Sequence, residues 1–118
     1  MSEYERIEAI RADRSASHRR LLDLGSEAYR AFLGLEKAAF ADGELPRRSK
    51  ELIALGISVV INCESCMEWH VGEALRAGAS AAEVVEAVGV GIEMGGGPAT
   101  VSARFALKAL AYHTRPRP

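Results

Sequence analysis

The amino-acid sequence predicts an all-α chain of about five or six helices joined by short connections. Three observations carry this. Apolar residues recur every three or four positions, the period of a helix, and no run alternates as a half-buried strand does. Two Ser-x-x-Glu signals, Ser2–Glu5 and Ser80–Glu83, have the spacing of helix capping boxes. Glycine and proline punctuate the joints, at Pro46, Gly78, Gly95–Gly97 and Pro98.

The first helix starts after Ser2. A second helical run spans roughly His18 to Phe40 and carries Leu21, Leu22, Tyr29, Phe32, Leu33 and Leu35. The segment ADGELP breaks the pattern, and Pro46 suits the first turn of the next helix, where its missing N–H costs nothing. That helix, about Pro46 to Ile61, is apolar on most faces and so predicts deep burial. Asn62 stands at a cap position before a helix from about Cys63 to Ala77, closed by Gly78. Ser80 caps the next, which carries Val84, Val85, Val88, Val90 and Ile92 and stops at Gly95–Gly97. Pro98 opens the last helix, and the tail HTRPRP reads as frayed. Gly89 and Gly91, inside a helical pattern with no strand before them, predict close helix packing and not a nucleotide loop.

With 118 residues the chain reads as one domain, residues 1–118. Its 48% hydrophobic content is enough for a core, and a chain of this size gains from subunit association. The formal net charge of −1 offers no basic excess for nucleic acid. The polar start MSEYERIEAIRADR has no secretory stretch, and no later segment has the length and apolarity of a membrane span. The expected location is cytoplasmic, where a structural disulfide is disfavoured.

Both cysteines lie in CESCMEWH. Cys63, Cys66 and His70, at i, i+3 and i+7, fall on one helical stripe. A cysteine at a helix start is favoured as a thiolate, and His70 is one turn from Cys66. A disulfide staple, a zinc site and a working redox pair are the readings of this spacing. Zinc lacks the usual second Cys or His pair, and the His on the same stripe favours redox work. If the helices on either side of Asn62 fold back antiparallel, Glu51 lies about 6 Å further along the axis than the level of His70, within much of a Glu side chain's reach. A carboxylate there orients the imidazole and raises its basicity. Glu64 and Glu68 read as solvated, with Glu68 still in reach of the site as a supporting residue. Met67 and Trp69 read as core or interface, and His18 and His113 as surface residues.

Glu51, then a dozen residues to Cys63-x-x-Cys66, then His70, resembles the carboxymuconolactone decarboxylase and alkylhydroperoxidase D-like family. ELIALGISVVINCESC, the AGAS turn with Glu83, and MGGGPA at 94–99 resemble it too, and the likeness covers about residues 15–112. The resemblance implies an all-helical bundle assembled as a homo-oligomer, commonly a trimer or hexamer. It also implies peroxide reduction by the cysteine pair, with Glu51 and His70 as proton relay. No cofactor is implied beyond an external dithiol, of lipoyl or thioredoxin-like type, that restores the pair. The decarboxylase branch typically lacks the cysteine pair. A lactone or carbonyl enzyme, or a redox-sensing oligomer without catalysis, are the other expectations. The hydroperoxidases carry an additional His between the cysteines; Ser65 stands there in this chain and supplies a hydrogen bond but no base.

Overall fold

The computed structural model describes residues 1–117, and among them there are six helices and no strand. They are α1 (Glu3–Asp23), α2 (Glu27–Phe40), α3 (Arg47–Val60), α4 (Glu64–Arg76), α5 (Ala81–Gly95) and α6 (Gly97–Thr114). α3 packs against α4 and α5, α6 closes over the same two helices, and α1 crosses α4 and α6. The buried apolar side chains form one cluster, centred on Leu55, Val59, Met67, Val71, Val84, Val88 and Phe105. α1 gives this core only Ile7 and α2 gives it no buried residue, because both helices carry their charges nearly all round or their apolar groups outward.

Both predicted capping boxes form. The Ser2 hydroxyl accepts from the Glu5 N–H at 3.1 Å while Glu5 Oε1 accepts from Ser2 N–H at 3.3 Å. At Ser80 and Glu83 the corresponding distances are 3.1 and 2.9 Å. Each box satisfies two N–H groups that a helix start otherwise leaves to solvent.

Several boundaries differ from the sequence reading. α1 runs straight through His18, and the break comes at Gly25, whose φ of 72° ends the helix before Ser26 caps α2. Pro46 is the N-cap of α3, one place ahead of its first turn. The last helix continues to Thr114, so His113 belongs to ordered helix and not to a frayed tail. α3 is not buried on most faces: Ile53, Ile57 and Val60 are about half exposed, and Ile61 at its C-cap more so, on a side that no described helix covers. Helical periodicity finds an apolar face but cannot say what lies against it.

The α3–α5 crossing is set by a pair of glycines. A Cβ on Gly91 would lie 2.7 Å from the Gly56 carbonyl oxygen and 3.0 Å from Val59 Cβ. Gly89 has nothing within 4 Å of a Cβ and is exposed, so within this chain the close packing is met by Gly91, against Gly56, and not by Gly89.

Candidate active site

α3 and α4 meet in a tight reversal. Asn62 takes φ 55°, a left-handed conformation that Asn tolerates better than most side chains. The Cys63 N–H then returns to the Ser58 carbonyl at 3.1 Å. Asn62 is therefore the turn residue and Cys63 is the N-cap of α4, a position the sequence reading gave to Asn62. Cys63 Sγ accepts from the Cys66 N–H at 3.2 Å, so sulfur does the work of a capping oxygen. The two cysteines are joined as a disulfide, with Cα atoms 5.2 Å apart, and both are part-exposed.

The reversal places α3 and α4 side by side and brings Glu51 to His70. His70 Nδ1–H donates to Glu51 Oε1 at 2.7 Å, which leaves Nε2 free to exchange a proton. Glu51 is 2% exposed and its second oxygen accepts from Arg47 Nε at 3.3 Å, one helical turn away. The His70 ring stacks on Phe40 with centroids 5.4 Å apart and planes at 19°. A pocket of about 410 Å³ opens beside this pair, walled by Phe40, Arg47, Trp69 and His70. Arg47 and Phe40 were missed in the sequence. The i,i+4 spacing of Arg47 to Glu51 was a usable signal; Phe40, across a loop, gave none.

Glu68 is the larger correction. It was read as solvated, yet it is 1% exposed and faces away from Glu51, toward α1 and α6. Its Oε1 accepts from Arg14 at 2.6 Å, its Oε2 accepts from His113 Nε2–H at 2.5 Å, and Arg11 stands 3.6 Å away. Burial pushes its carboxyl up, but the hydrogen bonds and charges of His113 and Arg14 outweigh burial and hold it below the ordinary 4.5. His113, taken for a surface residue, has a 9% exposed side chain seated against Gly72, where a Cβ would come within 2.8 Å of its ring. Arg14 also donates to Ser65, at 3.0 Å to the carbonyl and 3.3 Å to the hydroxyl. Glu64, by contrast, is part-exposed and paired with Arg6. Met67 is fully buried, and Trp69 is half-buried beneath the Arg14 guanidinium, 5.1 Å from its ring centroid.

α4 thus carries a Glu–His pair on each flank, with Trp69 lining the pocket beside each. No group of three or more His, Cys, Asp or Glu side chains among the described residues is placed to hold one metal ion. No described helix is long and apolar enough to cross a membrane.

Residues 26–109 match the model of the carboxymuconolactone decarboxylase family. An uncharacterized protein of Cupriavidus necator is 46% identical over 85 residues, covering 72% of this chain and 73% of that protein. An uncharacterized protein of the cox locus of Paracoccus denitrificans is 45% identical over 80 residues, 68% of this chain and 72% of its own length. The crystal structure of a carboxymuconolactone decarboxylase family protein from Legionella pneumophila superposes with a TM-score of 0.89 at 29% identity, over 94% of this chain and 99% of that one. A Thermotoga maritima protein of the same family, one suggested to act in an antioxidative response, gives 0.76 at 26% identity over 84% and 85%.

Proposed function

Because the chain belongs to the carboxymuconolactone decarboxylase family, we propose that it is a thiol-dependent peroxidase of the alkylhydroperoxidase-like type. The observation that carries this is the Cys63–Cys66 disulfide standing one helical turn before a histidine bonded to a buried carboxylate. Glu51 fixes the His70 tautomer so that Nε2 takes a proton from the attacking thiol. The Cys66 thiolate attacks one peroxide oxygen, forming an S–O bond and breaking the O–O bond. The second oxygen leaves as alcohol or water with the proton that His70 returns. Cys63 then attacks the sulfenic sulfur, water departs, and the Cys63–Cys66 disulfide closes. An external dithiol supplies the two electrons that reopen it, and no bound cofactor takes part.

The site works in a cytoplasmic homo-oligomer. Ile53, Ile57, Val60, Val90 and Met94 line an apolar groove of about 630 Å³ between α3 and α5, and a second copy covers it. Ser65 leaves the relay one base shorter than that of the hydroperoxidases, so Glu51 and His70 carry the proton alone.

The test is peroxide reduction with dihydrolipoamide, thioredoxin and dithiothreitol compared side by side. Turnover with at least one donor, lost in Cys66→Ser, is expected; no turnover with any donor sinks the reading. Trapping the sulfenate on Cys63→Ser and Cys66→Ser assigns the roles, and a sulfenate found only on Cys63 exchanges them.

A further inference from the structure

We propose that Arg14 is a positioning residue of the cysteine pair, and that Glu68 sets how much of its charge the pair feels. This rests on the redox reading of Cys63 and Cys66. Arg14 comes from α1, 51 positions from Ser65, and its guanidinium holds both the carbonyl and the hydroxyl of Ser65, the residue just before Cys66. The same nitrogen that reaches the Ser65 carbonyl is fixed by Glu68 at 2.6 Å. Glu68 in turn is held by His113 of α6, whose ring has room only because residue 72 is glycine. Three helices therefore converge to place one cation against the Cys63–Cys66 turn.

The order of these charges gives the effect its sign. The guanidinium is bonded directly to Ser65, next to Cys66, whereas Glu68 stands a helical turn further along α4 and is bonded to the guanidinium and not to the segment between the cysteines. A positive charge near a thiol favours its ionised form and a negative charge opposes it. Arg14 lowers the titration point of the reduced pair, and Glu68 moderates that lowering. Where the hydroperoxidases have a His between the cysteines, this chain has Ser65 and, bonded to it, a cation that does not titrate near neutral pH.

Other charges face the same region. Arg6 from α1 pairs with Glu64 in the first turn of α4. Glu51 and Arg47 from α3 meet His70. Arg11 from α1 and His113 from α6 join Glu68. Glu36, Lys37 and Asp42 border the His70 pocket. Two arginines are hydrogen-bonded to the segment between the cysteines: Arg6 to the Glu64 carboxylate, which neutralises it, and Arg14 to the backbone carbonyl and hydroxyl of Ser65.

The experiment follows thiolate ultraviolet absorbance against pH in the fully reduced protein. Arg14→Gln is expected to raise the lower thiol pKa by about half a unit to one unit, and Glu68→Gln to lower it by a smaller amount. Arg14→Lys, which keeps the charge, is expected to recover most of the wild-type value. A merely structural tie predicts shifts of the same sign in Arg14→Gln and Glu68→Gln, and that result overturns the proposal. Arg6→Gln is the control: it is expected to shift the pKa less than Arg14→Gln, and an equal shift also overturns the proposal. That comparison decides the matter if Glu68→Gln does not fold. No peroxide enters this measurement, so a protein without peroxidase turnover still returns the thiol pKa, and the two readings fail separately.

Discussion

The two Glu–His pairs on α4 have nearly the same bond and different surroundings. Glu51 and His70 sit beside an open pocket, on helices that neighbour each other in the chain, with the imidazole part-exposed. Glu68 and His113 are 45 positions apart, more deeply covered, and tied to two arginines. A carboxylate–imidazole bond is thus not in itself a catalytic signature. What differs is how far each imidazole is exposed and what stands near it along α4. The first pair has the Cys63–Cys66 disulfide one turn away; the second has α1 and α6 to hold together.

The sharpest way to break this contrast is to remove each imidazole. His70→Ala is expected to slow peroxide reduction by roughly 10²–10⁴-fold, the usual worth of a positioned acid–base group. His113→Ala is expected to leave turnover per folded molecule within a few-fold. Equal losses in steady-state assays would erase the distinction. Gly72→Ala attacks the second pair from behind, since its Cβ would meet the His113 ring at 2.8 Å. The His113–Glu68 bond must then open, and urea unfolding is expected to show a loss of about 1–3 kcal/mol.

Acid sharpens the contrast further. The Glu68 carboxyl is held below its ordinary 4.5 when folded. Its contribution to stability is therefore complete above 4.5 and drains away as the pH falls through the lower folded value. Thermal unfolding followed from neutral to acidic pH should show this loss, and Glu68→Gln should flatten that limb. The smallest effect belongs to Arg47. Its side chain is half exposed, so Arg47→Ala is expected to cost about 0.5–1 kcal/mol of stability and to lower turnover only a few-fold.

The difference between the pairs also decided what the sequence could tell. Glu51 and His70 were legible because one tight turn at Asn62 separates their helices, so counting residues from the turn gives their levels. Cys66 and His70, four apart on α4, share a face that helical geometry alone supplies, while Cys63 stands just outside as the N-cap. The capping serines declared themselves by local spacing. Glu68, Arg14 and His113 were not legible, because their meeting depends on how α1 and α6 cross α4, and nothing local encodes a crossing. Gly72 shows the same limit: its role is the space it leaves for a ring 41 positions later. The apolar run of α3 looked like core on every side, since periodicity registers apolar residues and not what lies against them. The α1–α2 joint was misplaced because Gly25 lay inside a stretch whose apolar period continued across it.

Among the described helices the backbone of α2 comes close only to α1 and α3, and α2 buries none of its residues, yet the ring of its last residue, Phe40, stacks on His70 of α4. Helices held by so little apolar contact open far more often than the core does. Amide hydrogens of α2 should therefore exchange with deuterium well ahead of those of α4. Each such opening is expected to lift the phenyl ring from the imidazole while the disulfide stays in place, so the exposure of His70 rises beyond its resting value at a pace set by the least anchored helix of the fold.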